Sequence, residues 1–309
     1  MEYLLTLLGF FLLIGSGNFL VKGSVSLARY FGLSTLVIGV TIVAFGTSAP
    51  ELLVSLQAAL ADHPGMALGN VIGSNISNIA LVLAITAIIL PIPVNRNTII
   101  FDWPVMMGVT LLLGVFALDL SLGLIEGLVF NLVLLLFVWY SVKQSRKKNR
   151  KEKIEVGNGS YSLRLSVGII IISTIGLAFG ARLLVNNATT IAQSLGVSDR
   201  AIGISMLAIG TSLPELVTSV IAAIQKETDI SVGNIVGSNI FNILSVIGIT
   251  AVVKPIAVDP VILWDIGVMI VISLLLFFMI IPSRSGKIIR LEGIILFSLY
   301  IIYMIYVFK

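Results

Sequence analysis

Long apolar segments alternate with short polar breaks along the whole chain. A helix that crosses the hydrocarbon layer of a membrane needs about 20 predominantly apolar residues. Ten segments of this kind can be counted, so the sequence predicts an all-α polytopic membrane protein with ten transmembrane helices. Their approximate bounds are 3–27, 35–60, 67–91, 101–118, 122–142, 163–185, 200–224, 231–253, 261–281 and 288–308.

The overall composition supports this interpretation. Of the 309 residues, 58% are hydrophobic and 11% are charged, and the mean hydropathy is +1.11. A water-soluble domain keeps roughly a quarter of its residues charged. Most of the surface is therefore expected to face the lipid bilayer. The chain has no cysteine, which excludes disulfides, thiolate metal sites and thiol catalysis.

A basic segment separates the first five predicted helices from the last five. We predict an N-terminal five-helix repeat at 1–142, a linker at 143–162 and a C-terminal five-helix repeat at 163–309. The linker holds seven of the 19 basic residues, which are Lys143, Arg146, Lys147, Lys148, Arg150, Lys151 and Lys153. The positive-inside rule predicts that this loop is cytoplasmic and that both termini are external. The membrane is predicted to be the cell (inner) membrane. Because the basic residues flank a membrane, the net charge of +4 does not indicate nucleic-acid binding. No obligatory protein partner is evident.

Two sequence motifs occur twice. Residues 46–51, GTSAPE, return at 210–215 as GTSLPE, and residues 69–78, GNVIGSNISN, return at 233–242 as GNIVGSNIFN. Both pairs are 164 positions apart (215 − 51 and 242 − 78), so the repeat has no gap. With five spans in each copy, the second copy enters the membrane in the opposite orientation. The sequence therefore predicts inverted-topology repeats, by which many secondary transporters build a site near the middle of the membrane.

Each copy of the repeat places a glutamate in the middle of a predicted span. An ionisable side chain at that depth costs a few kcal/mol, so Glu51 and Glu215 at matched positions indicate a function. Thr47 and Ser55 share a helix face with Glu51 because they lie four residues to either side of it. The next helix carries a second polar stripe in each copy, formed by Asn70, Ser74 and Asn78 and by Asn234, Ser238 and Asn242. Helix packing by small polar residues is the structural alternative.

The prolines in the repeated motif predict a break in each of these helices. Pro50 and Pro214 cannot donate a hydrogen bond to the carbonyl four residues earlier, so carbonyls near 44–47 and 208–211 are expected to be freed. Unpaired carbonyls at membrane depth are tolerated where they line a cavity. Together with the carboxylates, hydroxyls and amides they form an all-oxygen ligand set, which suits Na⁺ and Ca²⁺ and not soft metals.

The paired GTSxPE and GNxxGSNxxN segments resemble the alpha-repeats of the calcium/cation antiporter superfamily, in particular its sodium/calcium exchanger branch. The resemblance covers about 32–85 and 196–249. It implies a secondary active antiporter, not an enzyme, that exchanges Na⁺ for Ca²⁺ by alternating access and extrudes Ca²⁺. Na⁺ and Ca²⁺ would be transported ions, and no cofactor is implied. It also implies that the first and sixth helices slide against the remaining core.

The resemblance further implies which residues bind the ions. Glu51 and Glu215 would hold Ca²⁺ together with the carbonyls of Thr47 and Thr211. The sodium sites would be completed by Ala44, Ser48, Ser74 and Asn78 in the first copy and by Ala208, Ser212, Ser238 and Asn242 in the second.

One departure from the family pattern leaves alternatives open. Many relatives have an aspartate at one of the positions that match Asn78 and Asn242, whereas this chain has asparagine at both. A proton- or K⁺-coupled cation exchanger of the same fold therefore stays open, as does a cation channel. Other carboxylates are interpreted structurally: Glu126 and Glu292 as groups at helix termini, and Asp102 and Asp265 as interfacial anchors.

Overall fold

The structure, a computed structural model, describes residues 1–152, 160–195, 210–280 and 286–307. These residues are almost entirely helical. The helices are α1 (Glu2–Phe31), α2 (Thr35–Thr47), α3 (Ala49–Leu60), α4 (Pro64–Ile89), α5 (Thr98–Asp119), α6 (Leu124–Glu152), α7 (Leu163–Ser194), α8 (Leu213–Ile224), α9 (Thr228–Val253), α10 (Pro260–Ile280) and α11 (Arg290–Val307). Four two-residue strands lie between them: β1 (Ile92–Pro93), β2 (Ser121–Leu122), β3 (Ile256–Ala257) and β4 (Lys287–Ile288).

The helices identify an integral membrane protein. Eight described helices are long and apolar enough to cross a membrane individually, and the bent pair α2–α3 makes nine when it is counted as one span. The predicted seventh span, 200–224, lies partly outside the described residues, and its described part is the short apolar helix α8. The total of ten spans stays a prediction. Two of the predicted spans, 122–142 and 163–185, end too early, because helix α6 continues to Glu152 and helix α7 to Ser194.

The predicted break in the second span is confirmed. The axes of α2 and α3 differ by 43°, and the bend is at Ser48, whose φ of −84° and ψ of 2° are not helical. Ser212 has nearly the same angles, −86° and 1°, before α8. The expectation of a free carbonyl at Ala44 is wrong: it accepts a hydrogen bond from Ser48 N at 3.0 Å and another from Thr47 Oγ1 at 3.3 Å. The bend at Ser48 allows this because it preserves the last turn of α2.

Two hydrophobic cores hold the helices together. The larger one gathers side chains of α4, α5, α6, α9, α10 and α11. The smaller one joins α1 to α7, with contributions from α2, α8 and the start of α9. The axes of α1 and α7 approach closely at two glycines, because a Cβ at Gly9 would lie 3.0 Å from Gly180 O and 2.9 Å from Leu184 N. The α1–α7 pair is thus tightly packed within itself and has a core distinct from the main one.

The four short strands link the two halves of the chain. β1 pairs with β4 and β2 pairs with β3, both in antiparallel register. Helix α5 leads from β1 to β2, and α10 leads from β3 to β4. Because each ribbon takes one strand from each half, α5 starts at the ribbon where α10 ends. The two helices therefore run in opposite directions between the ribbons.

Candidate cation-binding site

Four helix segments bring the repeated motifs together at the centre of the fold. Glu51 lies in the first turn of α3, directly after the break at Ser48, and Glu215 lies in the first turn of α8, directly after Ser212. Helices α4 and α9 pack against them and carry the two asparagine stripes. Both glutamates are 0% exposed. Each glutamate is thus buried in the first turn of its helix.

The two carboxylates have few close hydrogen-bond donors for buried charged groups. No described donor reaches either oxygen of Glu51, or Oε2 of Glu215. Glu215 Oε1 accepts a long bond from Ser48 Oγ at 3.4 Å. Burying a carboxylate without donors is costly unless a cation compensates the charge. The pair is therefore a candidate cation-binding group.

The site asparagines add two further acceptors. Asn78 Nδ2 donates to Asn239 Oδ1 and Asn242 Nδ2 donates to Asn75 Oδ1, both at 3.1 Å. The Oδ1 atoms of Asn78 and Asn242 are buried and have no described donor. Both residues begin a π-helical segment, Asn78–Leu83 and Asn242–Ile247, and such segments often occur at functional sites. With the three carboxylate oxygens, five buried oxygens of the repeated motifs thus have no described donor.

Hydroxyl groups connect the two halves around these oxygens. Thr47 Oγ1 lies 3.2 Å from Ser238 Oγ, and Thr211 Oγ1 lies 3.3 Å from Ser74 Oγ. Each pair joins a broken helix of one half to the long helix of the other. Thr47 also donates to Asn234 Oδ1 at 3.0 Å. The predicted polar stripes of the two copies therefore meet each other across the repeat boundary.

Asn70 and Asn234, the first residues of the two polar stripes, bind the backbone of the glutamates. Asn70 Nδ2 donates to Glu51 O at 3.3 Å and to Ser55 Oγ at 2.9 Å. Asn234 Nδ2 makes the matched bonds to Glu215 O at 3.4 Å and to Ser219 Oγ at 3.0 Å. These amides fix the first turns of α3 and α8 relative to the long helices α4 and α9.

Most of the residues predicted for the site lie around this centre. Those with polar contacts to the opposite half are Thr47, Ser48, Ser74, Asn78, Thr211, Ser238 and Asn242. Ser212 Oγ accepts from Ser77 Oγ at 2.9 Å. Ala44 is buried, and Ala208 lies outside the described residues. Among the described residues, no group of three or more His, Cys, Asp or Glu side chains lies close enough together to hold a metal ion.

Four residues around the site were missed by the sequence analysis. Asn75 and Asn239 stand inside the doubled GNxxGSNxxN motif, so their repetition was an available signal. Ser77 contacts Ser212, although position 241 in the other copy is phenylalanine and the repeat gives no hint of it. Met106 contacts the Asn239 amide from α5, far from both motifs, and no sequence signal could have identified it.

For the carboxylates that the sequence analysis interpreted as structural, the interpretation holds for Glu126 and Glu292 and fails for Asp102. Glu126 Oε2 accepts from Gly123 N and Glu292 Oε2 from Ile289 N, both at 2.8 Å, which confirms their place at helix N-termini. Asp102 is 1% exposed and accepts from Asn97 Nδ2 at 3.2 Å. Its interpretation as an interfacial anchor is therefore wrong, because its carboxyl group is packed inside the protein.

Comparison with known proteins gives consistent matches over nearly the whole chain. The family model for "Sodium/calcium exchanger protein" matches residues 1–143 and 165–309. "Sodium/calcium exchanger MaX1" of Methanosarcina acetivorans is 30% identical over 99% of this chain and 98% of its own. "Inner membrane protein YrbG" of Escherichia coli is 33% identical over 97% of this chain and 94% of its own. A solved structure of "the sodium-calcium exchanger NCX_Mj" superposes with a TM-score of 0.84 at 35% identity, covering 98% of this chain and 97% of that one.

Proposed function

We propose, since the chain belongs to the sodium/calcium exchanger protein family, that it is an antiporter which exchanges Na⁺ for Ca²⁺ across the cell (inner) membrane and extrudes Ca²⁺. The family is one of membrane transporters and not of enzymes. The observation that carries the proposal is the group of five buried acceptor oxygens, on Glu51, Glu215, Asn78 and Asn242, that no described donor reaches.

The charge of this group suits one divalent ion. Two carboxylates neutralise one Ca²⁺ and offer four oxygens when both bind in bidentate mode. The carbonyls of Thr47 and Thr211 would raise the coordination number to about six, the lower end of the range for calcium. The absence of donors matters as much as the charge, because an N–H or O–H pointing at the cation would oppose binding.

Sodium ions would occupy adjacent positions that share the same carboxylates. Ligands for them are the hydroxyls of Ser48, Ser74, Ser212 and Ser238, the Oδ1 atoms of Asn78 and Asn242, and the carbonyls of Ala44 and Ala208. The Ala44 carbonyl would contribute after giving up the hydrogen bond from Thr47 Oγ1. Three Na⁺ in place of one Ca²⁺ would leave the site with a charge of +1, so we expect exchange to be electrogenic.

Alternating access would follow from the two-part packing of the helices. The α1–α7 pair, with its own small core, would slide against the rest, which contains the ion-binding residues. The halves 1–142 and 163–309 would be inverted-topology repeats of five spans each, an arrangement supported by the crossed ribbons β1–β4 and β2–β3. The basic linker would be cytoplasmic and both termini external.

The test is Ca²⁺ uptake into proteoliposomes preloaded with Na⁺, compared with K⁺-loaded vesicles and with an imposed proton gradient. We expect uptake with internal Na⁺ alone, and a faster rate when the potential drives the extra positive charge outward. Uptake driven by protons or K⁺ would replace the proposal with the coupled alternatives. Flux without counter-ion dependence would indicate a channel. Turnover that ignores the membrane potential would rule out the three-to-one stoichiometry.

A further inference from the structure

Helices α10 and α11 leave a groove between them on the outer surface of the protein. Both helices pack on α4, and α11 comes so close to it that a Cβ at Gly293 would lie 2.8 Å from Ala84 O. The groove has a volume of about 520 Å³ and is lined by residues within 264–275 of α10 and 299–306 of α11. Gly267 is one of them, and a Cβ there would meet no described atom within 4 Å. The side chains of the described residues therefore leave this space open.

The groove has the depth of one membrane leaflet. Between Trp264 and Leu275, helix α10 rises about 16 Å, which is about half of the roughly 30 Å hydrocarbon layer. Trp264 lies close to Pro260, the first residue of α10, so the mouth of the groove is at the membrane boundary on the side of β3. This is the external side in the proposed topology. One acyl chain fits along such a groove, with its headgroup at the mouth.

The mouth of the groove combines a carboxylate with aromatic rings. The half-buried Asp265 accepts a hydrogen bond at Oδ1 from the Tyr303 hydroxyl at 3.1 Å, and no described Lys or Arg forms an ion pair with it. Next to these two residues along the helices, the rings of Trp264 and Tyr306 contact each other with centroids 6.0 Å apart. An ionisable side chain inside a span indicates a functional partner, and aromatic faces attract ammonium groups. The mouth therefore suits a positively charged headgroup.

The first copy of the repeat treats its matching carboxylate differently. Asp102 is 1% exposed and accepts from Asn97 Nδ2 within its own half. It lies ten positions after Ile92 (102 − 92), whereas Asp265 lies nine positions after the matched Ile256 (265 − 256). The extra residue is taken up by a π-helical segment that ends at Asp102. The two carboxylates thus sit on differently shaped backbones, and the one in α10 stays near the surface.

The tyrosine of the mouth also has no equivalent in the first copy. Phe137 and Tyr303 are matched, since both lie eleven positions after the matched glutamates Glu126 and Glu292 (137 − 126 and 303 − 292). The ring of Phe137 stacks on Phe101 with centroids 6.0 Å apart, and it has no hydroxyl to donate. In the described part of the chain, the second copy alone combines a carboxylate and a tyrosine hydroxyl beside an open groove.

We propose that the groove between α10 and α11 binds a phospholipid whose headgroup carries a primary ammonium, with an acyl chain along the groove and the ammonium on Asp265. Tyr303 holds one oxygen of the carboxylate, and the other accepts a charge-assisted hydrogen bond from the ammonium. A quaternary ammonium has no N–H to donate, and a glycerol headgroup has no positive charge. Phosphatidylethanolamine should therefore bind more tightly than phosphatidylcholine or phosphatidylglycerol.

The test measures lipid retention by native mass spectrometry. Purified wild-type protein is mixed with equal amounts of phosphatidylethanolamine, phosphatidylcholine and phosphatidylglycerol that have the same acyl chains. We expect phosphatidylethanolamine to be retained roughly fivefold more than either of the others, the size expected for one hydrogen bond. Equal retention of the three lipids would overturn the inference. Pairs of protein chains without bound lipid would overturn it too, because a second copy would then cover the groove.

Three variants locate the bound lipid. Asp265→Asn should bring the three lipids close to equal retention, and a preference that persists would exclude Asp265 as the headgroup site. Gly267→Leu fills the groove and should lower the retention of all three lipids several-fold. Gly108→Leu on α5 is the matched control, because a Cβ at Gly108 also meets no described atom within 4 Å and the residue does not line the groove. Equal retention in the two leucine variants would exclude the groove.

Fluorescence of Trp264 tests the same site in a bilayer. Trp139→Phe removes the other exposed tryptophan, and the remaining Trp103 is 7% exposed. Vesicles with phosphatidylethanolamine brominated on its acyl chains should quench this protein more strongly than vesicles with the same fraction of brominated phosphatidylglycerol. Trp264→Phe should remove the difference. Equal quenching by the two lipids would contradict the inference. Neither measurement involves ion transport, so the lipid site and the proposed exchange stand or fall separately.

Discussion

The two copies of the repeat agree closely in backbone and differ in what surrounds their ion-facing groups. Helices α3 and α4 span Ala49–Leu60 and Pro64–Ile89, and 164 positions later α8 and α9 span Leu213–Ile224 and Thr228–Val253. Even the positive φ values recur, with 62° at Asp62 and 64° at Lys226. The backbone frame that carries the carboxylates is therefore duplicated residue for residue.

The contacts behind this frame are not duplicated. Glu215 receives a bond from Ser48, whereas no described donor reaches the Glu51 carboxylate. Ser77 supports Ser212 on one side, and its counterpart Phe241 instead packs against the ring of Phe45, with centroids 5.8 Å apart. The difference teaches that a symmetric backbone frame can have asymmetric surroundings, so the two halves of the candidate site are not equivalent.

The largest effect on transport is expected at Glu51 and Glu215, the matched carboxylates of the two copies. Glu51→Gln and Glu215→Gln should each abolish Ca²⁺ uptake, because the amide keeps the shape of the side chain and removes half of the charge that neutralises the ion. The folded state should persist, since each change also removes a buried charge that has few donors. The measurement is Ca²⁺ uptake into proteoliposomes, with variant and wild-type proteins that are equally monodisperse before reconstitution.

Helix-terminal glutamates provide the control for these substitutions. Glu126→Gln and Glu292→Gln keep an oxygen for Gly123 N and Ile289 N and lie outside the site. They should transport at near wild-type rates. If Glu51→Gln and Glu215→Gln transported equally well, the pair would not be the cation-binding group.

The second-largest effect is expected at the interface between α1 and α8. In the proposed alternating-access mechanism, these two helices would slide past each other. A Cβ at Gly17 would lie 3.0 Å from Ile221 Cδ1 and 3.1 Å from Val217 Cγ1, whereas a Cβ at Gly15 would meet no described atom within 4 Å. Gly17→Val should slow maximal exchange roughly tenfold, since overpacking costs about 1–3 kcal/mol. Half-saturation by Na⁺ should not change. Gly15→Val is the matched control, and equal rates in the two variants would argue against sliding at this interface.

The third-largest effect is expected at Ser77, which supports the site in only one copy of the repeat. Ser77→Ala removes the donor to Ser212 Oγ and should raise the Na⁺ concentration for half-maximal exchange about fivefold, in line with about 1 kcal/mol for one hydrogen bond. Ser231→Ala removes a buried hydroxyl that has no described partner and should have no such effect. A shift of equal size in both variants would mean that Ser77 acts through general packing.

The smallest effect is expected at an ion pair that joins the two copies and has no symmetry-related counterpart. Lys254 Nζ lies 2.6 Å from Asp62 Oδ1, whereas the matched positions are Leu90 and Lys226. The hydrogen bond and charge of Lys254 lower the pKa of the exposed Asp62 carboxyl group. The stabilisation is therefore present above the ordinary carboxyl pKa and is lost as the pH falls through the lowered value.

Thermal unfolding at several pH values measures this ion pair. Asp62→Asn should lower the melting temperature slightly at neutral pH and not in acid, with no change in transport, because surface pairs contribute little. Lys254→Met and the double variant complete the cycle. A decrease in the double variant equal to the sum of the two single decreases would mean that the pair does not interact.

Much of the site could be predicted from the sequence because the repeat made it visible. A duplicated glutamate in an apolar span has a high solvation cost, so Glu51 and Glu215 stood out without a structure. Pro50, the second residue of α3, also predicted the bend at Ser48, and Ser212 before Pro214 has matching backbone angles. Ser77 and Met106 could not be found in this way, because each occurs in one copy alone and acquires its role through a partner distant in the sequence.

The sequence by itself determined the class of protein, the paired carboxylates, the helix breaks and the family, because hydropathy, proline chemistry and repetition are local properties of a chain. The tertiary structure decided how the halves meet: which hydroxyl faces which, how the asparagine amides turn, and that Ala44 O and Asp102 are engaged elsewhere. The physical reason is that a hydrogen bond between residues some 160 positions apart depends on the packing of whole helices. No local pattern encodes that packing.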